Sequence, residues 1–281
     1  MTIGTKYANG VFSWVHLGTS DPDAAKRFYG NLFGWGFEDM PAGPEMTYTF
    51  ISRNKHSVAG MYALKDAPSH WLPFVNVADA DDVAKKASQA GGKVPYAPMD
   101  VLDVGRMAVL QDPTGANIAI WQAKKHLGAD MINETGAICW NELLSPDIKA
   151  AGRFYGATFG WTADLADTSA DSSYTIFKAG TTQVGGMMAR PPRLGDVPPN
   201  WLTYFGVADC DSTAKKVGQD PQRADGHSEH RPLRGLSGRP GRGIRDLHTK
   251  ERVSARVKRA GGGPSRPGPP STVWGRHADS T

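Results

Sequence analysis

At 281 residues, with 40% hydrophobic and 21% charged side chains, the chain is long enough for two domains of ordinary size. No run approaches the roughly 18–20 apolar residues of a membrane span, and residues 1–9 lack the apolar stretch of an export signal. Two cysteines, Cys139 and Cys210, give neither a disulfide framework nor a metal-ligand spacing, so a cytoplasmic protein with reduced thiols is expected. The net charge of +4 is unevenly spread: residues 218–281 hold 13 Lys/Arg against 6 Asp/Glu, a balance of +7, and the remainder stands at −3. The basic character belongs to the tail. With no reader motif beside it, nucleic acid is not an expected partner.

In chain order, residues 11–19 alternate as a strand. Asp21-Pro22 then opens a helix, proline being suited to the first turn. Ala25, Phe28, Tyr29, Leu32 and Phe33 form its apolar stripe, and Gly34, free to take a positive φ, ends it. Phe28, Tyr29 and Trp35 are read as helix-packing residues. Strands follow near 48–53, 57–64 and 72–77. Asp79 starts a second helix that runs through Ala90 and stops at Gly91-Gly92. Strands at 94–98, 105–111 and 116–122 complete the unit, with Asp112-Pro113-Thr114-Gly115 turning between the last two.

The pattern then returns. Gly10-Val-Phe-Ser-Trp14-Val-His16-Leu17 reappears as Gly136-Ala-Ile-Cys-Trp140-Asn-Glu142-Leu143, and Arg27-Phe-Tyr through Phe-Gly-Trp35 as Arg153-Phe-Tyr through Phe-Gly-Trp161, at an offset of 126. Ala59-Gly60-Met61 matches Gly185-Gly186-Met187, and Trp71-Leu72 matches Trp201-Leu202 four residues later. Two long copies indicate domain duplication. The boundaries are read as 8–126 for the first domain, 132–217 for an incomplete second domain, and 218–281 for an Arg/Gly/Pro-rich tail. Each domain is read as α+β, built from paired βαβββ modules, with the second domain lacking its last strands. Helices would cover the outer face of a curved sheet and leave a concave inner face able to hold a small molecule.

This duplication, with Asp-Pro-x-x-Ala-x-x-Phe-Tyr and Phe-Gly-Trp early and Gly-Arg-x-Ala-Val-x-x-Asp-Pro-x-Gly late, resembles the vicinal-oxygen-chelate superfamily, and within it the two-domain glyoxalase-like proteins. The resemblance covers about residues 8–217. It implies a divalent metal on the concave face, held by three His/Glu side chains with open positions for vicinal oxygens of a substrate. The usual ligand positions fall on Trp14, Leu72 and Ala119, and the first two recur as Trp140 and Leu202. No metal ligand is therefore assigned, and the cofactor is left open.

His16 shares a face with Trp14, and Glu142 holds the matching place in the second copy; both are acid/base candidates. His56 and His70 stand nearer loops. Trp14, Trp140, Trp71 and Trp201 are read either as the aromatic floor of a ligand pocket or as core, and Arg106 as a contact for an anionic ligand or a solvated strand-end cation. Two functions stay open: a glyoxalase-like enzyme of lyase, hydroxylase or dioxygenase type, and a non-catalytic small-molecule binding or antibiotic-sequestering protein of the bleomycin-resistance kind. A small-molecule ligand is expected in either case, and exposed sheet edges suggest pairing as a homodimer.

The tail lacks periodicity and is expected to be disordered. Back-translated and read one base forward, Asp225 to His248 permits Met-Asp-Ile, then Asn-Ile-Gly-Arg-Phe-Ala-Val, then Gln-Asp-Ala-Gln-Gly-Ala-Ala-Phe-Ala-Ile-Phe. That series follows Met99 to Val109 and Gln111 to Trp121 in order. The expectation is a frameshift in the gene near residues 218–222.

Overall fold

The computed structural model describes residues 7–43, 46–65, 67–167, 174–191, 194–195, 197–219 and 253–254. The frameshift and disorder expected of the tail lie, but for residues 253–254, outside the described residues after Gln219. The first half begins with β1 (Phe12–Thr19), α1 (Pro22–Phe33), β2 (Gly36–Gly43), β3 (Met46–Arg53) and β4 (His56–Ala63). It continues with β5 (His70–Asn76), α2 (Ala80–Gln89), β6 (Lys93–Val101), β7 (Gly105–Gln111) and β8 (Asn117–Ala123). These strands make one sheet ordered β2-β3-β4-β1-β5-β8-β7-β6. Each βαβββ module thus contributes four neighbouring strands, and the modules join through the antiparallel β1/β5 pair.

The second half repeats the opening as β9 (Ile138–Ser145), α3 (Ile148–Phe159), β10 (Thr162–Asp167), β11 (Tyr174–Ala179) and β12 (Thr182–Ala189). It goes on to β13 (Asn200–Phe205) and α4 (Cys210–Gln219), and β14 (Val253–Ser254) pairs with β13. This sheet runs β10-β11-β12-β9-β13-β14. Both halves are α+β, as expected.

The helix ends follow from local chemistry. Asp21 accepts from Ala24 N at 2.9 Å with Pro22 in the first turn, and Gly34 closes α1 at φ 69°. Asp147 and Gly160 do the same for α3, with Gly160 at φ 71°. A side chain at either glycine would sit in the left-handed region that favours glycine.

Helices from both halves pack between the two sheets. In one core cluster Ala80, Ala84 and Ala87 of α2 lie with Ala151, Phe154 and Tyr155 of α3, enclosed by Leu110, Ile118 and Ile120 on one side and Leu143, Phe177 and Met187 on the other. In a second, Tyr29, Phe33 and Trp35 meet Ile138 and Phe205. A buried aromatic ring removes about 150–250 Å² from water, on the order of 4–6 kcal/mol at ~25 cal/mol/Å². Two indoles lock the halves reciprocally: Trp35 Nε1 donates to Gly136 O and Trp161 Nε1 to Gly10 O, each at 2.8 Å. Phe28, Tyr29 and Trp35 thus pack as expected.

Candidate functional site

The concave face of the first sheet is built by strand alternation. On β1, Trp14, His16 and Gly18 point inward; their partners on β5 are Phe74, Leu72 and His70. On β4, Gly60 stands beside His16 and Tyr62 beside Gly18, and β3 adds Tyr48 and Phe50. Ala119 pairs with Phe74 across β5/β8. Trp14, Leu72 and Ala119 share one buried apolar cluster with Phe74, Met107 and Trp121. The structure therefore brings the three usual metal-ligand positions together, as the resemblance implies, and furnishes them with no donor atom. Among the described residues no group of three His, Cys, Asp or Glu could hold a metal ion. The donor set does not fit the superfamily's metal.

What stands there is His16 in an aromatic enclosure. Its ring lies edge-on to Phe74 at 4.6 Å and Tyr62 at 4.8 Å, with Tyr48 at 6.4 Å. The residue is 8% exposed, and its Nε2 is buried without a hydrogen-bond partner. Burial, aided by nearby His70, lowers its pKa from 6.5 to about 3, so the imidazole is neutral at physiological pH. Tyr48 accepts the Trp14 indole N–H at 2.9 Å. Burial also pushes the Tyr62 hydroxyl up to about 12, with Tyr96 nearby adding to the shift. Tyr48, Phe50 and Tyr62 are half-buried.

The second sheet repeats the frame with different chemistry. Trp140 Nε1 donates to Tyr174 Oη at 2.8 Å, as Trp14 does to Tyr48. Glu142, 3% exposed, stands where His16 does and accepts from Tyr204 Oη at 2.7 Å. In both halves a glycine makes the frame possible: a Cβ on Gly60 would lie 1.9 Å from Tyr48 Oη, and one on Gly186 1.9 Å from Tyr174 Oη.

For three candidates the structure shows the following surroundings. Trp71 and Trp201 occupy the opposite faces of β5 and β13, under the helices. Trp71 Nε1 donates to Tyr29 Oη at 3.1 Å and Trp201 Nε1 to Tyr155 Oη at 2.8 Å, surroundings that agree with the core alternative for both. Arg106 turns to α2, where it grips Asp81 at 2.8 and 2.9 Å. This ion pair is on the helix side of β7 and agrees with the strand-end cation alternative. His56 ends the tight turn from β3, whereas His70 is on the concave side, beside Gly18. The sequence reading passed over Tyr48, Tyr62, Phe74 and His126. The Tyr48/Tyr174 pair carried a usable signal, since it too recurs at an offset of 126.

A curled mixed sheet with helices on one face defines the glyoxalase/dioxygenase class of α+β protein. The model of the glyoxalase/bleomycin resistance protein/dioxygenase superfamily matches residues 11–120. CFP32 of Mycobacterium bovis, provisionally named a glyoxylase, is 40% identical over 219 residues, covering 76% of this chain and 83% of that protein. The anthracycline biosynthesis protein DnrV of Streptomyces peucetius is 34% identical over 230 residues, covering 76% and 82%. In fold, the chain is similar to the Mn(II)-bound glyoxalase of Novosphingobium aromaticivorans, with TM-score 0.51 at 14% identity over 77% of this chain and 71% of that one. It is also similar to 2,2',3-trihydroxybiphenyl 1,2-dioxygenase of Sphingomonas wittichii strain RW1, with TM-score 0.52 at 12% identity over 76% and 80%. The chain belongs to the glyoxalase/bleomycin resistance protein/dioxygenase superfamily. No helix among the described residues is long and apolar enough to cross a membrane.

Proposed function

We propose that the chain is a glyoxalase-like protein that takes a small molecule onto the concave face of its first sheet and holds it through His16 instead of a metal chelate. The observation that carries this reading is the unpartnered Nε2 of His16. A buried polar atom without a partner is disfavoured by about 1–3 kcal/mol, and a ligand oxygen would supply the missing bond. The surrounding Tyr48, Tyr62 and Phe74 rings suit an apolar, flat ligand body.

Holding is favoured over proton abstraction. General-base catalysis works best when the base's pKa lies near the working pH, and burial keeps His16 near 3. A catalytic reading, with proton transfer at His16, is supported by the names of the relatives, which include a glyoxylase and proteins of anthracycline biosynthesis.

The test is calorimetric titration of a phenol and quinone panel into EDTA-treated protein, with His16→Phe alongside. The reading expects binding without added metal and a loss of about tenfold in the variant, the worth of one hydrogen bond. Binding that requires added Zn²⁺, or an unchanged affinity in His16→Phe, would overturn it. Conversion of a bound compound into product, lost in His16→Phe, would favour catalysis.

A further inference from the structure

Five buried side-chain polar atoms of the described residues lack a hydrogen-bond partner: Ser13 Oγ, His16 Nε2, His126 Nε2, Thr158 Oγ1 and Asn200 Oδ1. Two are imidazole nitrogens, and both rings stand on the concave face of the first sheet. His126 comes from no strand. It sits on the segment that leaves β8, pinned over the inner face by backbone bonds: Lys124 N and His126 N donate to Val104 O at 3.1 and 3.0 Å, and Ala129 N to Ser13 O at 2.8 Å. Trp121 Nε1 adds a bond to His126 O at 2.8 Å.

The two imidazoles belong to one closed circuit of rings. From His16 it runs to Phe74 at 4.6 Å, Trp121 at 6.4 Å and His126 at 5.8 Å. It returns through Phe50 at 5.8 Å, Tyr48 at 5.2 Å and His16 at 6.4 Å. The two histidines occupy opposite positions in it. Trp14 lies across the circuit, 4.6 Å from His126 and bonded to Tyr48.

We infer that His126 is a second polar anchor of the concave site, and that the ligand is a flat, uncharged, multi-ring phenol or quinone with an oxygen near each end. The inference rests on the reading of this face as the ligand site. A ligand with one polar end would satisfy one imidazole and leave the other unpartnered; one with two satisfies both. Aromatic walls give an ionised group no solvation. Burial disfavours the protonated form of both histidines, so they present neutral rings that accept from a hydroxyl or donate to a carbonyl. A quaternary ammonium would suit the ring faces but has no hydrogen to give either nitrogen.

The experiment is calorimetric titration of the full chain with 2,6-dihydroxynaphthalene and with 2-naphthol, in wild type, His16→Phe and His126→Phe. Wild type is expected to prefer the diol by about tenfold, the worth of one added hydrogen bond. His126→Phe is expected to erase that preference, bringing the affinity for the diol down to that for 2-naphthol. His126→Gln, whose amide can still hydrogen-bond, should recover part of it, and stands in should the Phe variant melt early by circular dichroism. A diol preference that survives in both His126 variants overturns the second anchor and leaves the His16 reading standing. Absence of binding by either probe, or binding indifferent to His16→Phe, overturns both.

Discussion

The Tyr155 hydroxyl donates to Asp112 Oδ2 at 3.0 Å, hydrogen-bonding a helix of the second half to the last turn of the first. The same hydroxyl accepts from Trp201 Nε1 at 2.8 Å. The other oxygen, Oδ1, is already engaged by Thr114 N, Gly115 N and Ala116 N. Asp112 therefore fixes its own turn with one oxygen and docks the other half with the second. Tyr155→Phe would strip a buried carboxylate oxygen and a buried indole N–H of this partner at once. The expected loss is about 1.5–3 kcal/mol, the range for hydrogen bonds to charged groups, measured by urea denaturation. A loss below ~1 kcal/mol would show that the turn relaxes and that Tyr155 is not what joins the halves.

Gly60 is where a single methyl group should do most harm to the candidate site. Its Cβ would lie 1.9 Å from Tyr48 Oη and 2.4 Å from Tyr48 Cζ, so Gly60→Ala must expel the ring that receives the Trp14 N–H. Overpacking of this kind costs about 1–3 kcal/mol. Ligand affinity on the first sheet should fall as well. Gly186→Ala should disturb Trp140 and Tyr174 in the same way while leaving first-sheet affinity intact. Equal effects of the two variants on that affinity would place the ligand elsewhere.

Arg106 offers the converse test. Its guanidinium is committed to Asp81 and lies near Asp100, on the helix side of β7. Arg106→Ala is expected to leave calorimetric affinity for anionic and neutral aromatic probes unchanged. Weakened binding of anionic probes alone would return Arg106 to the site.

The repeat, the helices and most strands were legible because caps and alternation are local. Strand β2 was not: Gly36–Gly43 is largely exposed and shows no apolar alternation to read. His16 and Glu142 could be placed on the inner faces because they alternate with Trp14 and Trp140 along their strands. For Trp71 and Trp201 the choice between pocket floor and core stayed open for the same kind of reason. Both faces of β5 are apolar, Trp71 and Val75 on one and Leu72 and Phe74 on the other, so period-two alternation cannot say which face meets the helices. His126 was out of reach, since its place depends on backbone bonds to Val104 and Ser13 that no sequence pattern announces.

The depressed pKa of His16 makes a claim about stability as well as binding. In the unfolded chain the imidazole titrates near its ordinary value of ~6.5; folded, burial first and His70 second hold it at about 3. Between those values the unfolded chain takes up a proton that the folded chain refuses, so falling pH favours unfolding. The contribution is whole above ~6.5 and is lost as pH falls toward the folded value, at about 1.4 kcal/mol per unit. Wild type should therefore lose about 2 kcal/mol more than His16→Phe between pH 6.5 and 5, read from urea midpoints at each pH. A residual slope is expected in the variant, because burial lowers His126 in the same direction. Parallel curves for the two proteins would mean that His16 accepts its proton without unfolding, through solvent reaching the concave face, and a ring so hydrated would no longer need a ligand to complete its hydrogen bonding.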